Sequence, residues 1–260
     1  MDGVSKNCPP VPSSQALKAI NSGSIAEGGK LAAYDWHATL AAVDQQGWTV
    51  LPSLMDAQQC QHMAALYDES SHFRSRIVMQ RHAFGRGEYQ YLAYPLPPLV
   101  QTLRSALYTQ LQPLAERWRA ILAPEQVAWP LSHADFIVQC HAAGQLRPTP
   151  LLLRYGAGDY NCLHQDLYGE QVFPLQVIIM LSQPGRDFEG GELVLTEQRP
   201  RMQSRAQVLT LHQGDAAIIA VRERPVAGSR GYYRVQHRHG VSTITQGQRH
   251  TLGIVLHDAQ

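Results

Sequence analysis

Lysine is nearly missing from this sequence of 260 residues: Lys6, Lys18 and Lys30 are the only three, all in the first thirty positions, and every later cation is arginine or histidine. Charge of one sign is also lacking, since 22 basic residues face 21 acidic ones, so bulk electrostatics call for no polyanionic partner. The four cysteines, Cys8, Cys60, Cys140 and Cys162, show no CxxC spacing, which argues against a disulfide framework and fits reduced thiols in the cytoplasm. No apolar run approaches the roughly eighteen residues of a membrane span, and the N-terminus carries no apolar signal region, so neither membrane insertion nor secretion is expected. Internal repeats are absent as well.

What is present is an ordinary globular composition, 44% hydrophobic and 17% charged, enough for one sizeable core. Residues 1–30, rich in Ser, Gly, Pro and Asn, read as a flexible N-terminal tail, and 31–260 as a single domain. Its first part, 31–149, is mainly helical. Trp36, Leu40 and Val43 fall at helical spacing ahead of Gly47, TVLP follows as a short strand, and Asp56 caps a second helix over AQQCQHMAALYDES. Residues 73–94 are less regular, with Tyr89 and Tyr91 alternating to one side. Pro97 and Pro98 open a long helix to about residue 122, and a short one spans 133–143.

After Pro150 the apolar period changes to two. Strands are expected at 151–155, 174–182, 191–196, 206–212, 215–221, 238–244 and 250–257, separated by glycine and proline turns. Helices first and strands after give an α+β fold. Its core, 150–258, is a double-sheet jelly roll, also called a double-stranded β-helix, with flanking N-terminal helices.

The chemistry concentrates in LLLRYGAGDYNCLHQD, residues 151–166. His164 and Asp166 are two apart on extended backbone and point to one side, so an imidazole and a carboxylate can share one metal ion. Two histidines and one carboxylate on one face of an octahedral metal are the arrangement of non-haem Fe(II) oxygenases. His239, read as heading a strand in RHGVSTITQGQRHTLGIVLHD, is the candidate third ligand, with His237 as rival on the same face. Arg249, ten residues on and read as lying across a turn at Gly247, can take the far carboxylate of a dicarboxylate co-substrate bidentately, and Thr251 shares its face.

HQD, the distal HGV and GQRHTLGI together resemble the 2-oxoglutarate and Fe(II)-dependent dioxygenase superfamily, and RYGAGDYNCLHQD is similar to the corresponding run of its prolyl-hydroxylase-like and AlkB-like members. YGAGDYNCLHQDLYGEQVFPLQ, DFEGGELVLTEQRPRMQSR and GYYRVQHRHGVS more closely resemble a bacterial family of oxygenases described as acting on damaged nucleic acid. The resemblance covers most of 150–258. It implies that His164, Asp166 and His239 hold Fe(II), and that Arg249, Thr251 and Tyr155 hold 2-oxoglutarate. It also implies a C–H hydroxylation that yields succinate and CO2, with demethylation of a modified base as one outcome. AlkB-like enzymes carry a further arginine where this chain has Val255, whereas Asp166 favours hydroxylation over halogenation. A free small molecule, a nucleotide or a protein side chain remains an alternative substrate, and a non-catalytic jelly roll that binds metal or ligand an alternative role.

Other residues admit plainer readings. Between Glu197 and His250 nine arginines face only Glu197, Asp215 and Glu223, and most of them read as solvated strand faces. His212, His250 and His257 read as satisfied barrel or surface histidines, His237 as a rim residue and Cys162 as a buried, inert thiol. Tyr155 also suits the core. Tyr89, Tyr91, Tyr94 and Tyr168 suit either a flat substrate or packing.

Overall fold

The computed structural model describes residues 30–260, so the expected tail lies outside the described residues except for Lys30. Among the described residues, four helices from Trp36 onward lie before or between the early strands. Helix α1 (Trp36–Gln46) starts where the Asp35 carboxylate accepts the Ala38 N–H and stops at Gly47, whose left-handed backbone returns its N–H to the Val43 carbonyl. After β1 (Trp48–Leu51), α2 (Ala57–Ala65) opens with a reciprocal capping box between Asp56 and Gln59. It ends sooner than expected, in two 3-10 turns over 66–72. Pro98 begins the long α3 (Pro98–Leu122), and Ser132 caps α4 (His133–Ala142) by accepting the Asp135 N–H.

Residues 73–92, expected to be irregular, form β2 (Phe73–Val78), the short β3 (Gly85–Arg86) and β4 (Glu88–Leu92). The later strands are β5 (Leu151–Gly156), β6 (Tyr160–His164), β7 (Leu175–Met180), β8 (Phe188–Gly190), β9 (Leu193–Gln198), β10 (Arg205–Leu209), β11 (Ala216–Ala220), β12 (Glu223–Gly228), β13 (Gly231–Val241) and β14 (Ile244–Val255). Two sheets result. The larger runs β1-β11-β7-β14-β5-β4-β2 with β8 beside β14, and the smaller runs β10-β9-β13-β6-β3 with β12 beside β13. This is the expected helix-flanked jelly roll.

Two details of the C-terminal motif differ from expectation. His239 lies near the end of β13, not its start, and Gly247 sits inside β14 instead of in the turn before it. The reason is steric. At φ +77°, a Cβ on Gly247 would fall 2.1 Å from the Asp187 carbonyl oxygen, so the glycine lets β8 approach β14. His239 and Arg249 therefore stand on opposite sheets and face each other across the sandwich.

The large sheet is buried on both sides, and strand parity sorts its side chains. Leu152 of β5, Val177 and Ile179 of β7, and Leu252 and Ile254 of β14 join the core formed with Leu103, Leu107, Leu111 and Trp118 of α3. The opposite parity, Leu153 and Tyr155, Gln176 and Ile178, Arg249 and Thr251, faces the space between the sheets. Arg104 of α3, wholly buried, anchors the chain beyond β14. It donates to the carbonyls of Val255 (2.9 Å) and His257 (3.0 Å) and pairs with Asp258 at 2.8 Å.

Two buried histidines near this anchor are held neutral. His133 donates through Nε2 to the Leu256 carbonyl at 2.9 Å, and its pKa is lowered to about 4 by burial and then by Arg104. His257 accepts the Phe173 N–H at Nδ1, which requires an unprotonated nitrogen, and burial lowers its pKa to about 3. Because the unfolded value lies near 6.5, the unfolded chain binds more protons below that pH, so the stability from each group is complete above pH ~6.5 and falls away toward the folded pKa. Urea unfolding of the metal-free protein should show a loss on the order of 2 kcal/mol per histidine between pH 7.5 and 5. A midpoint unchanged over that range would show that neither ring is buried as described.

Candidate metal centre and co-substrate pocket

His164 ends β6 and pairs in register with His239 of β13, so hydrogen bonding between two strands sets the rings side by side, 4.2 Å between centroids. Asp166 follows two residues after His164, just beyond the strand. Its carboxylate oxygens lie 3.6 Å from His164 Nε2 and 3.3 Å from His239 Nε2. One ligand atom from each of the three residues falls within 4.8 Å of the others, the only such group among the described residues.

The charge state suits a divalent cation. His164 Nδ1 lies 2.8 Å from the Cys162 carbonyl, which can only accept, so the proton sits on Nδ1 and the Nε2 lone pair is free. Burial, and then the neighbouring His239, push the His164 pKa down. Burial would raise Asp166, but His239, His164 and the Tyr168 hydroxyl outweigh it and hold the carboxyl ionised. Tyr168 donates to Asp166 Oδ1 at 2.6 Å and fixes the carboxylate's orientation.

A cavity of about 280 Å³ runs from this cluster between the sheets. Arg249 lines it, 1% exposed, and none of its three guanidinium nitrogens has a hydrogen-bond partner. Burial lowers its pKa to about 10, against the pull of Tyr155 and Glu192, which leaves it charged at neutral pH. Tyr155, its register partner on β5, is fully buried with a hydroxyl that lacks a partner at hydrogen-bond geometry, and Thr251 is 1% exposed on the same face. A buried cation without an acceptor is a standing cost, so this set of donors fits a carboxylate that enters from the cavity. His164, Asp166, His239, Arg249 and Thr251 all line that space, and Tyr155 packs against Arg249 with 5.8 Å between guanidinium carbon and ring centre.

The sequence model of a family described as "Oxygenase, catalysing oxidative methylation of damaged DNA" matches residues 87–259. The chain belongs to this oxygenase family. An uncharacterized protein of Mycobacterium tuberculosis is 51% identical over 165 residues, which cover 64% of this chain and 70% of that one. Solved structures share the fold. A prolyl-4-hydroxylase of Pseudomonas putida aligns with TM-score 0.50 at 14% identity over 84% of this chain and 96% of its own. A Trichoplax adhaerens prolyl hydroxylase in complex with a hypoxia inducible factor peptide aligns at 0.51 and 11% over 93% and 92%. The non-heme alpha ketoglutarate dependent epimerase SnoN from nogalamycin biosynthesis aligns at 0.51 and 12% over 84% and 80%. The His-Asp-His cluster of this oxygenase offers three ligand atoms that could hold a metal ion, in the cavity that Arg249 lines.

Several secondary readings change. His237 does not reach the cluster; it is buried beneath the turn at Gly47, where Arg224 Nε meets it at 3.1 Å. Cys162 is exposed, not buried, and Tyr94 donates to Asp258 and is not among the residues that line the cavity. Tyr89 and Tyr91 pack edge to face and continue to Tyr168. The Asp166–Tyr168 contact was open to the same two-apart reasoning as His164 and Asp166. Gln176, the one polar residue inside the apolar run 174–181, was overlooked, yet it lies 3.1 Å from His239 Nε2.

Two outcomes follow from this geometry. Tyr168→Phe removes the bond that orients Asp166 and should weaken Mn(II) or Co(II) binding about 10–100-fold without unfolding the protein. Arg249→Met should make the ligand-free protein more stable by about 1–3 kcal/mol, because an unpaired buried charge is replaced by an apolar side chain of similar length; a lower denaturation midpoint would mean that the guanidinium is compensated.

Proposed function

We propose that His164, Asp166 and His239 hold Fe(II) while Arg249, Thr251 and Tyr155 hold the distal carboxylate of 2-oxoglutarate. Residues 31–260 act as one catalytic domain, since β1, β2 and β4 complete the sheet that carries Arg249. The observation that carries this reading is the unpartnered Arg249 guanidinium, which lines the same cavity as the histidine–carboxylate cluster. When bound, iron with 2-oxoglutarate and O2 supplies an oxidant that inserts one oxygen into a substrate C–H bond and leaves the other in succinate, with release of CO2. The protein's part is positional. Arg249 and Thr251 fix the co-substrate's far end, Tyr168 keeps Asp166 in place, and the apolar walls of Leu151, Leu153, Ile178 and Val255 keep water from the reacting carbon.

For the substrate we favour an N-methylated nucleic acid base. The family description supports it, and so does the cavity mouth, where Phe84 lines the pocket 47% exposed and stacks on His82 at 5.4 Å. Arg81, just before this pair, and Arg86 of β3, just after it, are exposed. Hydroxylation of an N-methyl group gives a hemiaminal that loses formaldehyde, so the net change is removal of the methyl. An exposed aromatic pair between arginines suits stacking on a base with phosphate contacts alongside. The free, unbridged thiols of Cys60, Cys140 and Cys162 support a place in the cytoplasm.

Under air, with Fe(II), 2-oxoglutarate and a panel of methylated oligonucleotides, nucleotides, small molecules and peptides, succinate and formaldehyde should appear together with the oligonucleotides. Succinate from no member of the panel would remove the enzymatic reading, and succinate with only the small molecules or peptides would remove the nucleic acid one. Oligonucleotide affinity should fall with rising salt, and Phe84→Ala should weaken it by roughly 1–3 kcal/mol.

A further inference from the structure

Gln176 is 3% exposed on the inward face of β7, and it lines the cavity. Its side-chain nitrogen lies 3.1 Å from His239 Nε2, and its oxygen has no partner at all. His239 Nε2 is also the atom that faces Asp166, so a metal ion held by the cluster claims that nitrogen and leaves it nothing to offer the amide. The amide then loses its one present partner. Its neighbours on the cavity face, Val255 in register on β14 and Ile178 two residues along β7, are apolar, and the Tyr168 hydroxyl is committed to Asp166. A buried primary amide left with both ends unpaired is costly, and a residue of this kind in a strand otherwise made of Leu, Val, Ile and Met is out of place unless something enters to meet it.

We propose that Gln176 is a co-substrate-binding residue that donates a hydrogen bond to the carboxylate of 2-oxoglutarate next to its keto group. The proposal rests on the co-substrate reading given above. The placement selects that end of the molecule. Arg249 lies six residues from Val255 along β14, so along the cavity Gln176 lies on the His239 side, away from Arg249, and a dicarboxylate gripped by Arg249 presents its other carboxylate toward the metal and Gln176. Gln176 is also a timing device for the site, because its hydrogen bond to the co-substrate becomes available only once the metal has displaced it from His239.

The test is an anaerobic titration of the Fe(II)-loaded protein with 2-oxoglutarate, read by the visible band of the chelated keto acid, in wild type, Gln176→Leu and Gln176→Glu. Gln176→Leu should weaken 2-oxoglutarate affinity by about tenfold or more and shift the band maximum, since a charge-assisted bond to the chelating carboxylate is lost. Gln176→Glu should weaken it further, by like-charge repulsion. Mn(II) affinity measured without co-substrate should rise modestly for Gln176→Leu, which has no contact with His239 to give up, and rise further for Gln176→Glu, which a merely structural role would not produce. A wild-type band with unchanged affinity and position in both folded variants overturns this assignment alone. A wild-type protein that shows no band overturns the co-substrate reading and the assignment with it.

Discussion

Keeping the Arg249 guanidinium charged between two sheets, with all its nitrogens unpartnered, opposes folding, because the interior returns no hydrogen bond for the water it removed. The rest of the sandwich has to carry that cost. It does so with a large sheet buried on both faces, an α3 helix whose leucines and Trp118 fill the outer side, and the Arg104–Asp258 pair that locks the chain beyond β14. The contrast between the two buried arginines is informative. Arg104 is saturated by carbonyls, Tyr94, Thr149 and Asp258, whereas Arg249 is left open, and only the open one faces a cavity.

The His-Asp-His cluster depends on a different kind of constraint. His164 and His239 are register partners on neighbouring strands, so the backbone ladder fixes their separation and only Asp166 comes from beyond a strand end. That weaker position is the one supported from outside, by the Tyr168 hydroxyl and the edge-to-face tyrosines behind it. Precision is supplied where the backbone does not provide it.

Much of this was legible in the residues. The change of apolar period after Pro150, the capping signals at Asp35 and Asp56, and the spacing of His164, Asp166, His239 and Arg249 are local or pattern-level features, and they pointed to the jelly roll and to the residues that meet in its cavity. Strands β2, β4, β6 and β12 were not seen, because they are short, carry charges or tyrosines, and acquire their conformation from pairing with distant partners. Gly247 misled for a physical reason: a positive-φ glycine reads as a turn, and only the close pass of β8 shows that it lies within a strand. Gln176 carried a visible signal as a lone amide in an apolar run, but its meaning depends on His239, sixty-three positions away.

Strand β14 has a consequence of its own. Its even positions, Leu252 and Ile254, belong to the helix-packed core, while its odd positions, Arg249 and Thr251, face the cavity. A single-residue insertion or deletion between Gly247 and Val255 would exchange the two sets and drive the guanidinium into the leucines of α3. Descendants of this chain are free to vary side chains along β14, but they inherit its length as a fixed quantity.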